Sequence, residues 1–99
     1  MECEICGSGH MVQKHHIVGG RGKRRQCETK DSVIYLCWAH HHGKYGVHGK
    51  YGHTLSMQLK LQLQATYFKQ GLSKDEVMRL MGGKLYLLHG KVWGYEHIQ

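Results

Sequence analysis

The most regular apolar pattern lies in the second half of the chain. Leu55, Leu59, Leu63 and Tyr67 recur every four residues, which stacks them on one helix face. The spacing predicts a helix over 54–70, with Thr54 as its N-cap and Gly71 as its stop. Ser73-Lys74-Asp75-Glu76 has the Ser-x-x-Glu form of a capping box. It opens a second helix that buries Val77, Leu80 and Met81 and ends at Gly82-Gly83. The first half is patterned more weakly. Residues 10–17 alternate, with Val12 and Ile17 as apolar members, and suit a short strand. Val33-Ile34-Tyr35-Leu36 is a β-prone run. Together these predict a hairpin joined by a long loop over 18–32, which Gly19, Gly20 and Gly22 keep irregular. A short helical turn should follow Leu36 and end at Gly43. Gly43-Lys44-Tyr45-Gly46 recurs as Gly49-Lys50-Tyr51-Gly52. The repeat is too short for a solenoid unit and reads as an ordered loop. The tail 84–95, with Leu85, Tyr86, Leu87, Leu88, Val92 and Trp93, is expected to add strands.

At 99 residues, with no proline and no linker-like stretch, the chain reads as one α+β domain spanning 1–99. Residues 1–53 carry the candidate chemistry and residues 54–99 the C-terminal helices and tail. No apolar run approaches the ~18 residues of a membrane helix. A domain this small buries a modest core, and such domains often add a metal or another cross-link.

Fourteen Lys and Arg face seven acids, a formal charge of +7. That balance favours a polyanionic partner, most simply nucleic acid. Arg21, Lys23, Arg24 and Arg25 form a basic cluster in the long loop. They read as phosphate contacts, which supply affinity rather than sequence information. Lys44, with Lys50, extends the track, and Tyr45 or Tyr51 either stacks on a base or packs.

Cysteine and histidine change the picture most. Cys3-Glu4-Ile5-Cys6 is one knuckle and Cys37-Trp38-Ala39-His40 another. Two such pairs match the ligand set of a tetrahedral structural zinc site, formed here by Cys3, Cys6, Cys37 and His40. The chain opens Met1-Glu2-Cys3-Glu4 without an apolar leader, so a cytoplasmic setting and metal, rather than disulfides, are expected. Cys27 reads as a free thiol in the basic loop, and Trp38 as packed beside the zinc. Ten histidines are scattered internally. The pair His15-His16 ends a strand before the Gly- and Arg-rich loop, and a second cluster, His40-His41-His42, follows β-prone residues. That constellation points to catalysis rather than packing.

These residues resemble the HNH nucleases of the ββα-metal (His-Me finger) fold, in particular small zinc-containing members found in phages and prophages. The resemblance rests on His-His-Ile, a loop, a β-prone run ending Leu-Cys-x-x-His-His, and a further His after a short loop. It covers roughly residues 3–53. It implies a ββα-metal core with a structural zinc knuckle and additional C-terminal helices. It also implies His16 as general base and His15, His41 and His48 as ligands of one catalytic divalent ion, Mg²⁺, Mn²⁺ or Ni²⁺, with His42 as an alternative to His41. Where the family usually carries Asn, this chain has Ser32, preceded by Asp31. Either can brace the loop by hydrogen bonding, which makes Ser32 the candidate for orienting the base. The activity implied is hydrolysis of DNA phosphodiester bonds. Two other readings stand beside it: a zinc-knuckle DNA-binding module without catalysis, and an accessory subunit that meets phage packaging or recombination proteins through the C-terminal helices.

Overall fold

The computed structural model describes residues 1–20 and 22–95, and for Arg24 the backbone alone. The chain is a small α+β protein. Its elements are β1 (Gln13–His16), α1 (Lys23–Gln26), β2 (Val33–Leu36), α2 (Trp38–His41), α3 (His53–Lys69), α4 (Lys74–Leu80), β3 (Leu87–Leu88) and β4 (Lys91–Val92).

β1 and β2 pair antiparallel, with Gln13 opposite Leu36 and His16 opposite Val33. The apolar partner is β2. The Gln-Lys-His-His stretch of β1 is polar, so its extended form comes from pairing rather than propensity. Only residues 13–16 of the predicted 10–17 join the ladder. The long loop is not wholly irregular, because α1 forms inside it. Ile17, Val18 and Cys27 from its two ends enter the main core with Leu59, Leu63, Tyr67, Phe68, Val77 and Met81. Thr29 fixes the loop to α3 through a 2.6 Å hydrogen bond with the Tyr67 hydroxyl. Cys27 is therefore a core residue, 4% exposed, whose thiol donates to the Arg79 carbonyl of α4.

α3 starts one residue earlier than its sequence predicts. Gly52 is the N-cap and offers no side-chain cap; Thr54 falls inside the first turn. The expected stripe is present but wider. Leu59, Leu63 and Tyr67 are buried together with Gln64 and Phe68. α4 begins at Ser73 with both arms of its capping box formed, and buries Val77 and Met81, with Leu80 half-buried.

The Gly-Lys-Tyr-Gly repeat forms a tightly wound loop between α2 and α3. Val47 and His48 donate their N–H groups to the His40 and His41 carbonyls, and Tyr51 to Lys44. The winding is so close that a Cβ on Gly49 or Gly52 would run into the carbonyl oxygen of Gly43 or Gly46. Glycine is thus required at the repeat's six-residue period, and the loop hangs His48 over α2.

The tail forms the β3–β4 hairpin, pinned to α3 by Gln64. This side chain is fully buried. Its amide donates to the Tyr86 and Trp93 carbonyls at 3.0 and 2.7 Å and accepts the Tyr86 N–H at 2.8 Å. Gln64→Ala would strand those backbone groups. We expect a loss of about 2–4 kcal/mol and a Tm lower by roughly 10 °C or more in thermal unfolding followed by circular dichroism. A change under about 1 kcal/mol would mean that Gln64 does not hold the tail.

Candidate metal centre and active site

The first knuckle is a tight turn, with the Gly7 N–H on the Cys3 carbonyl and the Cys3 N–H on the Ser8 carbonyl. Glu4 attaches it to β2. Its N–H donates to the Tyr35 carbonyl at 2.9 Å, and its carboxylate accepts the Tyr35 N–H at 2.8 Å. The second knuckle is the end of β2 running into α2, with Cys37 as N-cap.

The two knuckles bring four donors together. Cys6 Sγ and Cys37 Sγ are 3.7 Å apart, and His40 Nδ1 lies 3.6 Å from Cys3 Sγ and 3.4 Å from Cys37 Sγ. Zinc bonds of about 2.3 Å to sulfur and about 2.05 Å to nitrogen, at tetrahedral angles, separate two sulfurs by roughly 3.8 Å and sulfur from nitrogen by roughly 3.6 Å. The observed separations match those edges, so the set can hold a structural metal such as zinc. Burial pushes the Cys3 thiol up, but the N–H groups of Cys37, Cys6 and Ile5, with the Cys37 thiol, outweigh it and bring Cys3 down to about 6. The Ser8 N–H pulls the Cys6 thiol down, but burial together with the crowded sulfurs of Cys37 and Cys3 outweighs it and pushes Cys6 up. A divalent cation removes that mutual repulsion.

Successive helical residues turn by about 100°, so α2 separates the three adjacent histidines. His40 turns to the cysteines. His41 turns to β1, where its Nδ1 lies 3.0 Å from Gln13 Oε1. His42, exposed, also reaches Gln13 Oε1, at 3.2 Å. The ring nitrogens of His15, His41 and His48 lie within 4.8 Å of one another, and their ring centroids are 4.8–5.2 Å apart. The Gln13 oxygen can only accept, so His41 carries its proton on Nδ1. That leaves the Nε2 lone pair for a ligand, the arrangement an outer partner imposes on a metal-binding imidazole. Burial, then the facing His48, His41, His16 and Lys60, hold His15 down at about 4. Burial, then His42 and His48, lower His41. Neutral imidazoles are the form that ligates. Three of them suit a transition ion, and the set fits such an ion better than Mg²⁺, which prefers oxygen.

Alternation along β1 puts Gln13 and His15 on one face and Lys14 and His16 on the other. On that second face His16 Nε2 is 2.6 Å from Glu28 Oε1, and Lys14 Nζ is 3.4 Å from Glu28 Oε2. These two neighbours, His16 first, hold the Glu28 carboxyl below the usual carboxylate range. Ser32, the residue expected to brace the loop and so orient the base, bonds to loop backbone. It is 2% exposed, and its hydroxyl accepts the Thr29 N–H and donates to the Thr29 carbonyl. Its own carbonyl accepts the Ile17 N–H. Ser32 therefore braces the loop backbone beside His16 without touching the ring. Asp31 accepts from Gln70 of α3. The partner of His16 is Glu28, which sequence reasoning missed. The available signal was that Glu28 is the one acid among five cations between residues 21 and 30.

His15, His16, His41 and His48 line one cleft of about 940 Å³, together with Lys14, Lys23, Lys60 and Lys84. No described residue lining it is acidic. Of the predicted phosphate contacts only Lys23 lines it, with its ammonium on the Gly82 carbonyl. Arg25 is exposed on α1 away from the cleft. Arg21 and the side chain of Arg24 lie outside the described residues. Lys44 is also off the cleft, its ammonium 5.3 Å from the Tyr51 ring centroid and Tyr45 stacked on Tyr51. Trp38, expected beside the zinc, is 45% exposed. No helix among the described residues is long and apolar enough to cross a membrane.

Compared with protein-family models, curated proteins and solved structures, the chain matches none of them.

Because the binding energy of a structural zinc is folding energy, Cys37→Ser should release the metal and unfold the hairpin end of the molecule. Metal analysis of dialysed protein should find one tightly held zinc in the parent and none in the variant, with a lower Tm. A variant that melts like the parent while holding no metal would remove zinc from the structural account.

Proposed function

We propose that this chain is a small metal-dependent endonuclease of the HNH type, with a ββα-metal core, that hydrolyses DNA phosphodiester bonds in the cytoplasm. The observation that carries the reading is the pairing of Glu28 with His16, which lines the cleft where the imidazoles of His15, His41 and His48 converge among lysines. The carboxylate accepts the Nε2 proton of His16, so the Nδ1 lone pair is the one free to take a proton from water. When His16 gains that proton, Glu28 stands against an imidazolium, an ion pair that favours the transfer. The hydroxide equivalent attacks phosphorus and the 3′ oxygen departs. A divalent ion on His15, His41 and His48 would offset the charge on the phosphoryl and leaving oxygens. Lys14 stands on the same carboxylate and limits how strongly Glu28 pulls on the ring.

Supercoiled plasmid incubated with purified protein and Mn²⁺, Ni²⁺ or Mg²⁺ tests the reading, and Mn²⁺ or Ni²⁺ should support nicking at lower concentration than Mg²⁺. His16→Ala should lower cleavage by about 10²–10⁴-fold while fold, zinc and DNA binding persist. Glu28→Gln should cost the charge-assisted hydrogen bond alone, ~1.5–3 kcal/mol, or about 10- to 100-fold in rate. His41→Ala should raise the ion concentration needed, so that excess metal restores part of the rate. If His16→Ala cuts as fast as the parent, the base is wrongly assigned. A parent that binds DNA but cuts with none of the three ions would be a zinc-stabilised binding module.

A further inference from the structure

The cleft has two walls, and only one of them comes from the hairpin and basic loop. The other is built by the C-terminal elements. Lys60 projects from α3 and Lys84 follows α4, and both line the cleft with Tyr86. Their ammonium groups converge on the Tyr86 ring, 5.9 and 4.6 Å from its centroid. The Tyr86 backbone is anchored, bonded at both its N–H and carbonyl to buried Gln64, one helical turn beyond Lys60. Among the described residues no carboxylate pairs with either lysine: the ion pairs are those of Lys14 and His16 with Glu28. Lys60 is close enough to His15 to add to the pull that keeps this imidazole neutral. Two cations without a carboxylate partner thus flank the Tyr86 ring in the cleft that the histidines line. Each keeps donors for an anion, whereas the ammonium of Lys23 is tied to the Gly82 carbonyl.

We infer that Lys60 and Lys84 form a phosphate clamp, gripping the sugar-phosphate backbone of a nucleic-acid strand as it runs through the cleft past the His15–His41–His48 cluster. The clamp rests on the nuclease reading for its substrate class, and it brings the C-terminal wall into the binding track. The chemistry recognised is the phosphodiester itself, so duplex and single strand are both ligands, and base identity is not read by these side chains.

The experiment is fluorescence anisotropy with short labelled duplex and single-stranded DNA of arbitrary sequence, in the zinc-loaded protein without added divalent ion, across a salt series. Each lysine that neutralises a phosphate contributes a salt slope of roughly 0.9 for duplex and 0.7 for single strands. The double variant Lys60→Gln, Lys84→Gln should therefore bind more weakly, with a log–log slope lower by about 1.8 on duplex. Lys74→Gln, which removes a charge outside the cleft, should leave the slope unchanged. An unaltered slope in the double variant overturns the clamp, and so does an equal fall in Lys74→Gln, which would report general charge only. The readout involves no cleavage. Plasmid cutting with an unchanged slope sinks the clamp and leaves the nuclease reading standing. A lowered slope in a protein that never cuts does the reverse.

Discussion

Four donor atoms drawn from residues 3–6 and 37–40 set the geometry of the hairpin end. The apolar material there is slight, with Cys3, Leu36 and Cys37 buried and Val12, Ile34 and Val47 packed around them. That is too little to fix the N-terminal turn, β2 and α2 against one another. A cation held among three sulfurs and a nitrogen would fix all three at once, because each contributes or directly flanks a ligand. The consequence reaches further than the knuckle. α2 is only four residues long and has no independent stability. Its orientation follows from Cys37 and His40, and that orientation places His41 against β1. The loop that carries His48 then bonds back to the His40 and His41 carbonyls. The histidine cluster of the cleft is thus positioned through the cysteine cluster, by residues adjacent in sequence that turn opposite ways.

The same dependence explains what could be read in advance. The knuckle spacing survives because metal ligation is a local rule: Cys-x-x-Cys and Cys-x-x-His each fit one turn, and only their meeting is tertiary. Val77, Met81 and the Ser73–Glu76 cap were legible for the same reason, as was the α3 stripe. What escaped was set by distant contact. β1 is polar and has no strand signal except its partner. Cys27 looked like a loop thiol because nothing nearby announces that α4 lies over it. Gln64 has the composition of a surface residue, yet it is fully buried, since the tail needs a donor and an acceptor at that point. Thr54 is a good capping residue left unused, because the glycine loop already delivers the chain in a helical bend at Gly52. Ser32 does brace the loop, but the turn that it braces was not legible. A hydroxyl one bond from Cβ closes on its own backbone turn at Thr29 and cannot extend to the His16 ring.

Charge is distributed with a similar economy. Of the seven acids, four hold structure: Glu4 bonds Tyr35, Glu28 bonds His16 and Lys14, Asp31 accepts from Gln70, and Glu76 closes the α4 capping box. None of them faces the cleft. Glu28 offsets the positive potential at Lys14 and His16, and no described carboxylate lines the cleft beside Lys23, Lys60 and Lys84. In a recess with low-dielectric walls that asymmetry focuses attraction for an anion more than scattered surface lysines do.

The adjacency of His15 and His16 completes the arrangement. On a helix two neighbouring histidines would be about 100° apart and could both turn toward one ion. On a strand they project from opposite faces. His15 is thereby committed to the side shared with Gln13, His41 and His48, and His16 to the side shared with Lys14 and Glu28. A ligand and a base require opposite treatment of the imidazole lone pair, one directed at a cation and the other kept for a proton. In the proposed nuclease the pleat of β1 would separate the two roles without any intervening residue, and the polar, propensity-poor sequence of that strand would be the cost of placing them there.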